Sequence, residues 1–214
     1  MTTEVSTRRQ LTRDRLMAAA TELFAERSVQ AASVEEICER AGFTRGAFYS
    51  NFESKDELCL ELVRRRGEQL VQTTQEALKA IPEAGLTQNT LDEVLAKVLV
   101  LFDTGFSLDD HWVLIRSELR LYSYRTPSFR PALLEAERRA TDLALAAISE
   151  TLARQEATLR IPLDQLMPTM DAYCERARMQ EILTGSPDGG WRQGLEHLLR
   201  ALVVLPAQSI EPPA

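Results

Sequence analysis

Around residues 44–55 the sequence gathers side chains suited to nucleic-acid chemistry. Arg45, Gly46, Ala47, Tyr49 and Asn51 are small, basic or hydrogen-bonding. At helical spacing they lie opposite Phe48 and Phe52, which stand four residues apart and point to a core. A guanidinium can bridge O6 and N7 of guanine, and small residues beside it let backbone approach a groove. No catalytic grouping competes. His111 and His197 are the only histidines, and neither stands in a Glu-x-x-His or His-Glu-x-x-His pattern. No phosphate-cradling glycine loop and no nucleophile elbow occurs. Cys38, Cys59 and Cys174 have neither metal-ligand spacing nor even pairing. They lie on or beside apolar stripes, so buried thiols are expected, with a redox sensor as the lesser reading. The expectation is a chain that is not an enzyme and needs no metal or cofactor.

The elements that must position those residues are legible on either side. Ser33 and Glu36 form a capping box, Val34 and Ile37 share a face, and Ala41-Gly42 ends the helix where a left-handed residue is needed. Thr44 caps a second helix of about two turns, and Ser54 with Glu57 forms a second box opening a third. Two helices around a short glycine-containing turn, the second with a polar outer face, make a helix-turn-helix, whose second helix enters the major groove. A helix from about Thr12 to Arg27 presents Leu16, Ala19, Ala20, Leu23 and Phe24 on one side and completes a three-helix domain.

The run Ile37, Ala41-Gly42, Thr44-Arg45-Gly46, Tyr49, Phe52, Lys55 and Leu58 closely resembles the DNA-binding motif of the TetR family of transcriptional repressors, in detail from about Arg13 to Leu62. Ser28, Cys38 and Asn51 depart from it, standing where the family commonly has glycine, alanine, and histidine or tyrosine. The resemblance implies that Thr44, Tyr49, Asn51 and Lys55 donate to DNA phosphates and that Ser33 caps and touches phosphate together. Arg45 is the best base reader.

The net charge of −7 is unevenly divided. Residues 1–66 hold 11 Lys/Arg and 11 Asp/Glu, leaving 14 and 21 to the remainder, so the acidity lies away from the DNA-binding end, where it keeps that part off the phosphates. Arg8, Arg9, Arg13 and Arg15 cluster at the front as a solvated tail or a phosphate-contacting arm. No apolar run approaches the ~20 residues of a membrane span and the polar start is no signal peptide, so a cytoplasmic chain is expected.

Beyond the motif the periodicity is helical throughout. A connector helix spans 54–81, stopped by Pro82. Thr90 and Glu93 form a capping box before a helix to about Thr104, apolar all round at Val98–Phe102 and so expected at the centre of the body. Trp112, Ile115, Leu119 and Tyr122 share one stripe; Leu133, Ala136, Ala140, Leu143, Ala144, Ala147 and Leu152 share another. From Leu163 to Thr184 the pattern is apolar on two faces, with Met179, Ile182 and Leu183 on the second, which suggests a partner. The predicted fold is all-α, about nine helices: residues 1–52 a DNA-binding helix-turn-helix domain, residues 53–214 a ligand-binding and dimerisation bundle.

Aromatic and flexible side chains give the candidate ligand-binding residues Phe102, Phe106, Trp112, Tyr122, Met167, Met170 and Tyr173, with Arg116 to orient a polar group; core packing is the plainer reading of each. The resemblance implies dimerisation through the last two helices, at Ala177, Glu181, Trp191, Leu195, Leu198, Leu199 and Leu202. It also implies a homodimeric repressor on a palindromic operator, released by a small-molecule inducer. The alternatives are an activator, or a DNA-binding regulator governed by a protein partner.

Overall fold

The computed structural model describes residues 2–79, 81–82, 87, 90–96, 99, 110–185 and 190–205, with side chains at these positions except 2–6 and 110. The chain is helical: α1 (Thr2–Arg27), α2 (Val34–Ala41), α3 (Arg45–Tyr49), α4 (Lys55–Lys79), α5 (described over 90–96), α6 (Asp110–Arg125), α7 (Arg130–Arg154), α8 (Leu163–Thr184) and α9 (Gly190–Leu202). Thr158–Leu159 (β1) pairs antiparallel with Val203–Val204 (β2) as a two-residue ladder. It is a small addition to an all-α fold.

Packing groups the chain into two compact units, Met1–Arg66 with Asp109–Arg138, and Gly67–Leu108 with Arg139–Ala214. In the first, the α1 stripe of Leu16, Ala19, Ala20, Leu23 and Phe24 meets Ile37, Phe48, Phe52 and Leu58 in one core, joined by Trp112, Ile115 and Leu119 of α6 and Leu133 of α7. In the second, Leu91 and Leu95 of α5, Leu166, Met167 and Met170 of α8, and Trp191, Leu195 and Leu199 of α9 form another.

Several boundaries differ from expectation. α1 begins at Thr2 rather than Thr12, because nothing before Thr12 breaks a helix and polar groups one turn apart bond along it (Gln10 Nε2 to Asp14 Oδ1, Thr12 Oγ1 to the Arg8 carbonyl, both 3.0 Å). The cap of α5 is Thr87 and not Thr90: Thr87 Oγ1 accepts the Thr90 N–H and its carbonyl accepts that of Leu91. Leu143, read as part of the α7 stripe, is 54% exposed, while its neighbour Ala144 is fully buried. Val98, Val100, Leu101, Phe102 and Phe106 lie outside the described residues, and with them the expectation of a central, all-round apolar helix. Ser28 takes φ 110°, a conformation that favours glycine, at the position where the resembled motif has one.

Candidate nucleic-acid interface

Both halves of the predicted turn form as their sequences require. Ser33 Oγ accepts the Glu36 N–H at 3.2 Å while Glu36 Oε2 accepts from the Ser33 N–H and hydroxyl at 2.9 and 2.8 Å, a complete capping box. Ser33 is half-buried and spends its hydroxyl inside that box. Gly42 stands at φ 70°, closing α2 in the left-handed conformation, and the Phe43 N–H reaches back to the Cys38 carbonyl. Thr44 is extended and its Oγ1 accepts the Ala47 N–H. At the start of α4, Ser54 Oγ caps the Glu57 N–H, but the Glu57 carboxylate accepts from Glu53 instead of Ser54.

Phe48 and Phe52 are fully buried, with ring centroids 5.7 Å apart, and Tyr49 stands edge-on to Phe48 at 5.3 Å. With the underside of α3 fixed, Thr44, Arg45, Gly46, Tyr49 and Ser50 face solvent and Ala47 is half-buried. Arg45 is parked against Glu35 of α2 at 2.6 Å and lies 6.0 Å from the Tyr49 ring. Both contacts are at the surface, where an ion pair contributes little, so Arg45 is available to a stronger acceptor.

Asn51 and Lys55, expected at phosphates, have other partners in this structure. Asn51 is buried, and its Nδ2 donates to the Ala47 carbonyl at 2.8 Å and to Ser50 Oγ at 3.2 Å. Lys55 Nζ donates to the carbonyls of Val29 and Ala32 at 2.8 Å each and lies 3.4 Å from that of Gln30. An ammonium has three N–H donors, and here they gather the loop between α1 and α2 onto α4. The arginine cluster also divides. Arg13 donates to the Asn51 carbonyl, pairs with Glu61 at 3.3 Å and lies over Phe52; Arg15 donates to the Ala41 carbonyl and lies over Phe43. Nothing in the sequence pairs Arg13 with Glu61, since the two stand on different helices without regular spacing.

The candidate ligand residues are not one group. Trp112 and Tyr122 belong to the core of the first unit, where Arg66 lies 5.2 Å from the Trp112 ring. The Tyr122 hydroxyl donates to Asp56 Oδ1 at 2.8 Å, and burial, then that carboxylate, pushes its pKa up to about 12. Arg116, also on α6, is half-buried. Met167 and Met170 are buried in the second unit with Tyr173 packed beside them. A Cβ at Gly194 would fall 1.7 Å from the Tyr173 hydroxyl, so α9 admits that ring only across a glycine. Of the candidate dimer residues, Trp191, Leu195, Leu199 and Leu202 are buried within their own chain. Ala177, Glu181 and Leu198 are half-buried, and Glu181 pairs with Arg178. Leu183 is 72% exposed.

All three cysteines are free and buried. Burial raises the Cys38 thiol and pushes Cys59 up to about 12, which suppresses the thiolate that redox chemistry needs. Among the described residues no three His, Cys, Asp or Glu side chains form a group able to hold a metal ion, and no helix is long and apolar enough to cross a membrane.

Residues 16–62 match the family model for bacterial regulatory proteins of the tetR family. The chain is 26% identical to HTH-type transcriptional repressor AcnR of Corynebacterium diphtheriae over 92% of its own length and 90% of the relative's. It is 34% identical to HTH-type transcriptional activator FasR of Mycolicibacterium smegmatis over 42% of its length, a segment that spans 39% of that relative. The solved structure of fatty acid degradation regulator FadR from Bacillus halodurans superposes with a TM-score of 0.67 at 16% identity, covering 88% of this chain and 94% of that one. That last likeness is one of fold.

Proposed function

The chain belongs to the TetR family of bacterial transcriptional regulators and carries its DNA-binding helix-turn-helix, and from that premise we propose that it is a homodimeric repressor released from its operator by a small molecule. The observation that carries the reading is the exposed face Thr44, Arg45, Gly46 and Tyr49, with Ala47 half-buried among them, above the buried Phe48. In this reading residues 1–52 bind DNA: Arg45 reads a base edge and Thr44 and Tyr49 meet phosphates, while Ser33, its hydroxyl bound in the capping box, fixes the start of α2. Asn51 and Lys55 position α3 and the loop before α2 through their internal bonds. Residues 53–214 supply the inducer pocket and the dimer contact. Support for a ligand-binding part comes from the apolar cluster of Met167, Met170 and Tyr173, whose methionines adapt readily to a guest. Support for a dimer comes from the second apolar face of α8, where Leu183 is largely exposed beside Met179 and Ile182. A regulator of chromosomal DNA works in the cytoplasm. AcnR and FasR bear opposite names, repressor and activator, so the sign is tested directly.

The test is selection of bound duplexes from random DNA by the purified chain, followed by a reporter placed behind the enriched sequence. The expected result is an inverted repeat with half-sites one helical turn, ~34–36 Å, or a multiple apart, and lower reporter output when the chain is present. No enrichment overturns the DNA-binding reading; a lone half-site overturns the dimer; increased output overturns the repressor. A thermal-shift screen then finds the inducer, which must stabilise the chain and weaken operator binding.

A further inference from the structure

We propose that Arg8 and Arg9 form a second seat for a DNA backbone phosphate, built into α1 beside the C-terminal end of the recognition helix and completed by Asn51. The inference rests on the DNA-binding reading above and adds a site outside the helix-turn-helix. Of the four clustered arginines, Arg13 and Arg15 are tied to backbone carbonyls and aromatic rings. Arg8 and Arg9 are exposed, and no partner for either guanidinium is found among the described residues. They stand on the same continuous helix as the core stripe of α1, so they are held in place, unlike a loose arm.

Between them and the end of α3 lies an open hollow of about 410 Å³, lined by Arg8, Arg9, Thr12, Ser50 and Asn51. At ~30 Å³ of liquid per water it holds on the order of a dozen waters, and no carboxylate lines it. Asn51 lines this hollow, and its Oδ1 is buried and without a hydrogen-bond partner among the described residues. Its orientation is fixed from the other side, because Nδ2 donates to the Ala47 carbonyl; exchanging the two atoms would set oxygen against oxygen. An amide oxygen repels a phosphate and requires a donor. Thr12 gives its hydroxyl hydrogen to the Arg8 carbonyl and Ser50 gives its own to Ala47, so among the lining side chains the donors left are the two guanidinium groups. A guanidinium carries five N–H donors in a planar fork. Swung into the hollow, it gives one to Asn51 Oδ1 and presents the others outward to an anion. The occupant is a phosphate of the same duplex that α3 reads, since the hollow opens at the end of that helix.

The experiment measures affinity of the full chain for its selected operator and for random duplex across a salt series. In Arg8→Ala/Arg9→Ala the slope of log affinity against log salt becomes shallower by about 0.9 for each phosphate that is no longer neutralised. Operator and random DNA weaken alike, with no change of base preference and no change in melting temperature. Arg8→Lys/Arg9→Lys restores the slope, since a point charge meets a phosphate, but recovers only part of the affinity, because the fork to Asn51 is gone. Arg154→Ala, an exposed arginine of the second unit, leaves the slope alone. An unchanged slope in the double alanine variant, with the wild type still binding, overturns the seat and leaves the DNA-binding reading standing. A change in base preference also overturns it. A wild type that binds no duplex removes both.

Discussion

Each of the two compact units has its own kind of internal bonding. In the first, charged side chains reach across elements to backbone carbonyls: Arg13 to Asn51, Arg15 to Ala41, Lys55 to Val29 and Ala32. Arg40 of α2 forks onto Glu26 of α1 at 2.6 and 2.8 Å. In the second unit charged contacts such as Arg178 with Glu181 and Arg200 with Glu196 stay within a turn of one helix, and Arg200 also reaches across to Asp92 of α5. Its elements meet chiefly through leucine and methionine. Directional bonds fix backbone position to fractions of an ångström, which a surface reading base edges needs. Methionine-rich packing can repack around a guest at small cost. The units differ as a reading head and an adaptable body would.

The largest expected effect tests the apolar side of that contrast. Leu195 is fully buried in the core of the second unit, so Leu195→Ala is expected to cost about 2–5 kcal/mol through lost burial and the cavity left behind. Denaturant unfolding measures it. A polar residue here would unfold the chain before it reported on dimerisation. The variant that addresses the dimer is Leu183→Glu, at an exposed position, with light scattering as the readout and little change in stability expected.

Lys55→Met sharpens the directional side. The stem volume is kept while three carbonyls lose their donor, and unsatisfied groups of that kind cost about 1–3 kcal/mol. The expected outcome is a less stable first unit and weaker operator binding with an unchanged salt slope, because the ammonium is spent internally. Arg45→Ala is the counterpart: stability is unaffected, operator affinity falls by roughly 1–3 kcal/mol, and preference relaxes at one base pair per half-site. A shallower salt slope in Lys55→Met would mean that this lysine leaves its carbonyls for a phosphate.

That pair of outcomes marks what the sequence makes legible. Capping boxes, a left-handed glycine and the Phe48/Phe52 spacing are local, so α2, the turn and α3 are readable from the order of residues alone. Lys55 and Asn51 have the chemistry of phosphate donors, yet their partners lie in the loop before α2 and on α3 itself. Whether a donor faces outward depends on tertiary position, which spacing along one helix does not carry. The same holds for α9: its stripe is plain, but whether a stripe meets its own chain or a copy is not a property of period. Leu143 failed on register, since α7 turns it outward while Ala144 takes the buried place.

A smaller effect is expected at Ser28. Its φ of 110° strains any residue with a Cβ, and conformations of this kind cost of order 1–3 kcal/mol. Ser28 Oγ accepts the Ala31 N–H at 3.3 Å, which offsets part of that strain. Ser28→Gly is therefore expected to gain about 1 kcal/mol or less, the unfolded glycine being more flexible. A higher unfolding midpoint with unchanged operator affinity is the expected reading, and a lower one would show that the hydroxyl bond outweighs the strain.

The smallest effect at neutral pH is the most specific about how the first unit is tied. Glu61 of α4 receives Arg64 at 2.6 Å, Arg13 at 3.3 Å and Arg65 at 3.5 Å. The bond from Arg64 first, and then that from Arg13, hold its carboxyl at about 2 against an ordinary 4.5. A folded-state pKa below the unfolded one means that stability is present above the unfolded value and lost as pH falls toward the folded one. The contribution is therefore complete above about pH 4.5 and fades between there and about 2. Glu61 is largely covered, but Arg64, its strongest partner, is 54% exposed, so solvent screens the pairing and Glu61→Gln is expected to cost about 1 kcal/mol or less at pH 7. The gap between wild type and variant, followed by denaturant midpoint, is expected to stay constant from about pH 8 to about 5 and to close below about 4.5. Other carboxylates are also held low, Glu26 by Arg40 and Glu36 by Ser33, and their protonation weakens both proteins equally, so the difference between the two curves isolates Glu61. A gap that persists undiminished at about pH 2 would mean that Glu61 supports the unit by packing, and the contrast between directional and apolar bonding would lose one of its ties.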